Sequence, residues 1–310
     1  MSKRHTDFLK IYYNAKQMDE TSSNKPTGNN RFTKIYLTLW GICLVAIVLA
    51  LIFYNTGFRL TNHLVPTKIG SIELSSNESD IQIFLDNRPI QISATDHRYT
   101  IGDIPPGLHS VMVYKNGFWP WIKSVDISPN TASPVFAFIF PTEGVATATL
   151  QPGTNQYNDA AKKIAANILP VAHGNPPSDQ SFSKWLARNI PNLKISADKN
   201  TALFTEDNAI EIMWISDNMP PPHYLCEKNP CLYQMPITTI TKPIKNVDFY
   251  KGRGDVVLFS SGTAIYAIDV DRSGTQNFQP LYHGKDPYFY ENTDGTLFIK
   301  DGAVIARANL

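Results

Sequence analysis

The hydrophobic positions fall into three patterns along the chain. The first is continuous: residues 35–54 read IYLTLWGICLVAIVLALIFY, twenty positions without a charge, Pro, Asn or Gln. A helix of that length rises about 30 Å, the hydrocarbon thickness of a bilayer. A cleaved signal peptide fits poorly. Its leading region would be 34 residues long, and no small-x-small site follows Tyr54-Asn55-Thr56. The run therefore reads as an uncleaved signal anchor, with Cys43 an apolar filler inside it.

The second pattern alternates. Between residues 69 and 141, apolar positions such as Ile81, Ile83 and Leu85 are separated by polar ones. Turn residues divide these runs at Asp86-Asn87, Pro105-Pro106-Gly107 and Asn116-Gly117. A period of two with such punctuation predicts six or seven short strands, folded as a small antiparallel β-sandwich.

The third pattern repeats. Leu203-Phe204-Thr205-Glu206-Asp207-Asn208-Ala209-Ile210 is echoed by Leu258-Phe259-Ser260-Ser261-Gly262-Thr263-Ala264-Ile265 and by Leu297-Phe298-Ile299-Lys300-Asp301-Gly302-Ala303-Val304. Each opens with Leu-Phe, passes through a polar turn and reaches an apolar residue seven places after the Leu. The turns are expected at Asp207-Asn208, Ser261-Gly262 and Asp301-Gly302, exposed between paired strands. Val247-Asp248-Phe249-Tyr250 and Gln279-Pro280-Leu281-Tyr282 read as flanking strands of the same units. The fold class is thus mainly β, ending in β-hairpin repeats that resemble a partial β-propeller. A sheet that ends with the chain would leave an open C-terminal edge, a place for self-association.

The expected organisation is a tail at 1–34, the anchor at 35–54, the sandwich at 69–141, a linker at 142–192 and the repeat domain at 193–310. The linker is expected to carry a short helix over 159–169, ended by Pro170. A Gly/Pro loop at 173–179 and a second helix over 181–189, capped by Asp179, follow it.

Charge decides orientation. Residues 1–34 hold seven basic and three acidic side chains, or +4, which leaves −3 for the rest of a chain whose formal net charge is +1. By the positive-inside rule the N-terminus is cytoplasmic and the C-terminal domains are extracytoplasmic. Residues 7–18 could form a helix on the membrane surface. With 28 Lys and Arg against 27 Asp and Glu, no broad basic face is available for nucleic acid.

Three segments of the sandwich carry a family resemblance. Leu85-Asp86-Asn87-Arg88-Pro89-Ile90, Ile104-Pro105-Pro106-Gly107-Leu108-His109-Ser110-Val111 and Gly117-Phe118-Trp119-Pro120-Trp121 resemble the PEGA domain. The name-giving tetrapeptide is replaced by Asn77-Glu78-Ser79-Asp80. The later hairpins look like the propeller-type repeats of some membrane-anchored PEGA proteins. The resemblance implies an extracytoplasmic prokaryotic module beside envelope domains, without catalysis of its own.

Candidate chemistry is sparse. No nucleophile elbow, Walker loop, zincin helix or EF-hand loop occurs, and no motif calls for a cofactor or a metal. His109 follows a turn glycine into a strand and reads as structural. Alternation would place Trp119 and Trp121 on one face, beside Phe118, either as core or as an exposed aromatic platform for sugars. Cys226 and Cys231 are expected to form a disulfide, worth roughly 2 kcal/mol for so short a loop, with His223 nearby as a conceivable metal ligand. Gly252-Arg253-Gly254-Asp255 contains an adhesion-like tripeptide but reads as a hairpin turn. The functional expectation is a non-enzymatic binding or scaffolding protein. Its partners would be the lipid bilayer through 35–54 and an envelope protein or glycan. The alternatives are an envelope glycan-processing enzyme, recognisable by a cleft with two carboxylates, and a single-pass receptor.

Overall fold

The computed structural model describes residues 30–60, 66–92, 95–172, 190–226, 230–292 and 294–310. The surface helix at 7–18, the loop at 173–179 and the helix over 181–189 with its Asp179 cap lie outside the described residues. The chain divides into two compact units, residues 1–67 and 68–310.

The first unit is built on helix α1 (Asn30–Asn55). Its stretch Phe32–Asn55 is long and apolar enough to cross a membrane, and none of it is buried against protein. Thr38 and Thr56 turn their hydroxyls back onto carbonyls three and four residues earlier, so they add no unpaired polar group to the apolar rod. Cys43 is free and exposed on its surface. Strands β1 (Phe58–Leu60) and β2 (Pro66–Lys68) form a short ribbon after it.

The second unit opens with a sandwich of seven strands: β3 (Gly70–Ser76), β4 (Gln82–Leu85), β5 (Arg88–Ile90), β6 (Arg98–Ile104), β7 (Gly107–Tyr114), β8 (Trp121–Ile127) and β9 (Ala132–Ala137). One sheet has the order β6-β3-β9 and the other β5-β4-β7-β8. Alternate residues of both point inward, Ile72 and Leu74 from one sheet, Val111, Val113 and Val125 from the other. The sandwich is not purely antiparallel as expected, because β9 lies parallel to β3. After β8 the chain crosses from one sheet to the other and runs along the free side of β3. That crossing passes so close to Gly70 that a Cβ there would stand 2.5 Å from the Ser128 carbonyl oxygen. Only glycine permits the approach.

Three four-stranded antiparallel sheets complete the unit. They draw on β10 (Ala148–Thr149), β11 (Lys194–Ile195), β12 (Thr201–Glu206), β13 (Ala209–Trp214), β14 (Gln234–Thr239), β15 (Ile244–Phe249), β16 (Val256–Ser261), β17 (Ala264–Asp269), β18 (Phe278–His283), β19 (Pro287–Glu291), β20 (Thr296–Asp301) and β21 (Val304–Asn309). Their orders are β11-β12-β13-β14, β15-β16-β17-β18 and β10-β21-β20-β19. The first two are consecutive in sequence. The third borrows β10 from a segment that the sequence assigns to a linker. The C-terminal strand is therefore not the expected open edge: β10 pairs with β21 at Ala148↔Arg307 and Thr149↔Ala306.

The same interval carries helix α2 (Asn155–Ala166), four residues ahead of the expected 159–169. The shift follows from its caps. Thr154 accepts a hydrogen bond from the Tyr157 N–H, starting the helix early. Asn167 ends it by turning its amide to the Phe289 carbonyl, where it is buried. Ala160 and Ile164 pack on Phe298 and Ile305 of the third sheet. The chain then reaches the first sheet, where Val171 bridges Thr205. One segment thus ties the third sheet to the first.

Amide side chains fasten the sandwich to the second sheet. Asn277 accepts from the Ile122 N–H at 2.8 Å and donates to the Ile122 carbonyl at 2.9 Å. Gln279 does the same across Phe140 N–H (3.0 Å) and the Phe138 carbonyl (3.1 Å). Beside them Lys123, buried, faces Asp269 at 3.7 Å and Asp271 at 3.2 Å. Burial pushes the Asp269 carboxyl up to about 6, against the pull of Lys123. Phe138, Ile139 and Phe140 share a core with Leu258, Leu281 and Phe289.

Candidate functional site

The connection from β15 to β16 occupies residues 250–255 and borders two cavities. It starts with a short 3-10 turn, Tyr250–Gly252. Gly252 has φ +69° and lies so near the loop before β12 that a Cβ would meet the Ala197 methyl at 3.0 Å. Tyr250 is buried between Phe136, with stacked rings 6.0 Å apart, and Phe140, met edge-on at 5.9 Å. Anchored in this way, the turn presents Arg253 and Asp255 outward.

Arg253 and Asp255 form a bidentate pair, Nε to Oδ1 at 2.9 Å and Nη2 to Oδ2 at 2.6 Å. The guanidinium also lies over the Phe136 ring, 3.8 Å from its centroid. The adhesion-like tripeptide therefore spends its charges on itself, which agrees with its sequence reading as a turn.

Two cavities include this pair in their lining. One, of about 640 Å³, is floored by the β6-β3-β9 sheet and includes Glu73, Arg98, Tyr99 and Phe136. The other, of about 450 Å³, includes Asp198, Thr201, Trp214, Pro222, Tyr224 and Lys251. Both are bounded by Arg253 and Asp255. Volumes of this size suit small ligands.

The second cavity has a mixed lining. Trp214 donates its indole N–H to the Met219 carbonyl at 3.1 Å, so its contribution to the cavity is apolar. Burial raises the pKa of the Tyr224 hydroxyl far above the usual phenol value, and Tyr224 and Pro222 line the same cavity. Thr201, paired with Trp214 across β12 and β13, Asp198 and the 251–255 turn complete the lining. Burial works against ionisation of Asp198. Hydrogen bonds from Ser196 Oγ (2.5 Å) and from the Asn200 N–H and side-chain amide nevertheless hold its pKa below the ordinary value.

The aromatic platform is not there. Trp121 is 2% exposed and lies in the sandwich core, whereas Trp119 is 37% exposed, and Phe118 packs half-buried under the Lys115 ammonium. Alternation fails because residues 119 and 120 precede β8 and belong to no strand. His109 is fully engaged: its Nδ1 faces the Asp86 carboxylate at 2.7 Å and its Nε2 the Pro105 carbonyl at 2.8 Å. It clamps two turns together. Cys226 and Cys231 are joined as a disulfide, and His223 points to Asp271 (3.4 Å) and Ser273 instead. No group of three metal-ligating side chains occurs among the described residues.

Asp198, Trp214, Tyr224, Arg98 and Lys251 belong to no sequence motif. They come from separate strands and loops, so no local spacing marks them. The local signal in the sequence is the glycine-flanked Arg253-Gly254-Asp255 turn.

No family model matches the chain, and no curated protein matches it. Among solved structures, one match is a protein of unknown function from Bacteroides fragilis, described provisionally as membrane-associated. It shares 8% identity, with 78% of this chain and 94% of that chain covered, at a TM-score of 0.21. A likeness at that level carries no conclusion about fold or function.

Proposed function

We propose that the chain is a single-pass membrane-anchored binding protein, with residues 1–34 cytoplasmic and the β-rich unit outside, that engages an envelope ligand without chemically altering it. The apolar helix α1 and the basic tail before it support the anchor and its orientation. The Cys226–Cys231 disulfide supports an oxidising, extracytoplasmic setting. The resemblance of residues 69–141 to a PEGA module, with propeller-type repeats beyond it, is part of the same reading.

The observation that carries it is the cleft around Arg253 and Asp255. A glycosidase needs one carboxylic acid held protonated near neutral pH and a second group beside it. Here Asp198 is held ionised by its hydrogen bonds, and Asp255 is engaged by Arg253. Both groups are engaged within the protein, and they shape and polarise the cleft.

Two measurements test the reading. In a Cys43→Ala background on intact cells, a cysteine introduced at Ser23 should stay protected from an impermeant maleimide, and one at Ser128 should be labelled. The reverse pattern would overturn the orientation. Full-length protein in nanodiscs should retain envelope material that an Arg253→Ala/Asp255→Ala variant releases. That material should have an unchanged mass after incubation; a changed mass would move the protein to the enzymes.

A further inference from the structure

We infer that Asn116 is a site of self-modification. Its side-chain amide is lost through a cyclic imide formed with the Gly117 nitrogen, leaving aspartate or isoaspartate in the connection from β7 to β8. Water is the one co-reactant.

The chemistry sets three conditions. The backbone nitrogen after the asparagine attacks Cγ of the side-chain amide. A bond forms between that nitrogen and Cγ, the Cγ–Nδ2 bond breaks, and the nitrogen's proton leaves with the amide as ammonia. Water then opens the ring at one carbonyl to give aspartate or at the other to give isoaspartate. The attacking N–H must therefore be unbonded, the peptide must be able to swing, and the amide must not be tied elsewhere.

Asn116 meets all three. The Phe118 N–H donates to the Lys115 carbonyl at 3.1 Å, closing a four-residue turn with Asn116 and Gly117 at its centre. Of that central pair only Gly117 has a positive φ, +79°, which makes the turn type II. Both central residues are exposed. The turn employs the Phe118 N–H, whereas the Gly117 N–H donates to no group among the described residues. A Cβ at residue 117 would meet nothing within 4 Å, so open space surrounds the peptide that must move, and glycine leaves its rotation unhindered. The Asn116 amide makes no hydrogen bond among the described residues.

Other steps of related chemistry are locked. Asp294 Oδ1 accepts from the Thr296 N–H at 2.8 Å, and the Gly295 N–H is spent on the Asn292 carbonyl at 3.0 Å. The Asp301 carboxylate before Gly302 accepts from the Lys285 and Asp286 N–H groups. Asn87 and Asn208 sit in turns too, but the residue after each carries a side chain and is paired across the turn, Arg88 with Leu85 and Ala209 with Glu206.

The position gives the reaction a structural consequence. The Gly117 carbonyl accepts from the Thr142 N–H at 2.9 Å and from its hydroxyl at 3.2 Å, and the Trp119 N–H donates to the Phe140 carbonyl at 2.9 Å. Isoaspartate adds a methylene to the backbone of this fastened turn. It also sets a new carboxylate beside Lys115, which already pairs with Glu78 at 2.7 Å.

The test incubates full-length protein in nanodiscs at mildly alkaline pH beside a synthetic peptide of residues 113–120. Mass spectrometry with electron-transfer fragmentation separates aspartate from isoaspartate. Asn116 should convert at a rate within about tenfold of the peptide's, since no folded-state hydrogen bond has to open first. It should also convert ahead of every other asparagine among the described residues. Hydroxylamine, which cleaves cyclic imides, should cut the incubated protein between residues 116 and 117. Asn116→Gln, whose longer side chain disfavours the ring, should lose both signals and keep the wild-type melting temperature. A native rate more than about tenfold below the peptide's would show a protective opening step and overturn the inference. Faster conversion at another described asparagine, or hydroxylamine cleavage that persists in Asn116→Gln, would overturn it as well. In the isoaspartyl form, amide exchange at Thr142 and Trp119 should quicken; unchanged exchange would overturn the structural consequence and leave the modification standing.

Discussion

Asn277 and Gln279 do with side-chain amides what a neighbouring strand would do with its backbone. Each satisfies one N–H and one carbonyl of the sandwich at buried positions. Replacing Asn277 by Ala strands both Ile122 groups, and buried unpaired polar groups cost about 1–3 kcal/mol each. Denaturant melts should show Asn277→Ala destabilised by that order, while Asn116→Ala at an exposed turn changes little; equal effects would remove the amide's special role. Glu291 gives a residue-scale test in pH. Burial raises its carboxyl to about 8, although the Lys251 N–H donates to it at 2.9 Å. The native state therefore holds a proton that the unfolded chain releases near the ordinary glutamate value of about 4.5. Stability should fall as pH rises from there to about 8 and level off above it. Glu291→Gln keeps an acceptor for Lys251 and cannot ionise. Melting temperatures of the variant and wild type should coincide near pH 5 and separate by pH 8, the variant being the more stable. Part of the slope should remain in the variant, because burial also raises Glu211, to about 7, and Asp269. None of these groups was legible in the sequence, since burial of a lone carboxyl depends on what folds over it.

At the scale of elements, the three hairpins were legible and their register was not. Leu203, Leu258 and Leu297 are all fully buried, and each opens a strand pair. The two-residue turns are Asp207-Asn208, Gly262-Thr263 and Gly302-Ala303. Ser261 is thus the last residue of its strand and buried, its hydroxyl donating to the Lys242 carbonyl, and not the exposed turn residue expected. Measured back from its turn, the third Leu stands one place further away than the first two. A one-residue offset in a strand reverses the face. Leu203 and Leu258 correspond to Phe298, which packs on α2, while Leu297 points the other way into the shared core. Across the turn, Ile210 and Ile265 correspond to Ile305 and not to Val304, which is 50% exposed. Sequence spacing alone cannot see this, because matched Leu-Phe pairs look alike whichever of the two residues faces inward. The structural alignment makes its own prediction. Ile305→Ala should cost about 2–5 kcal/mol, whereas Val304→Ala should stay within roughly 0.5 kcal/mol. If Val304 were the costlier site, the original seven-residue alignment would be restored.

At the scale of the molecule, the long apolar helix and the strand-rich character were legible because each is a local pattern, one continuous and one alternating. The joining of the sandwich to the sheets was not, because it is made by residues far apart in sequence. Lys123 meets Asp269 and Asp271, Gln279 meets Phe138 and Phe140, and β10 completes the sheet that contains β21. The core follows the same path, with Val113 and Trp121 in one cluster with Leu281 and Ile299. Residues 68–310 accordingly form one compact unit. Such continuity predicts cooperativity, since opening the interface exposes apolar surface and strands buried amides on both sides together. Native-state hydrogen exchange should give β8 and β18 the same opening free energy, close to that of the whole unit. Asn277→Ala combined with Gln279→Leu should lower that shared value, and the two strands should then begin to exchange at different energies. The cleft depends on the same joint, because its larger cavity has a sandwich floor and a rim from Arg253 and Asp255 of the second sheet's turn. Ligand retained in nanodiscs should therefore fall off in the double variant at temperatures where either half, followed by its own exchange, is still folded. Distinct opening energies for β8 and β18 in the wild-type protein would separate the halves and make the cleft a hinge between two independent domains.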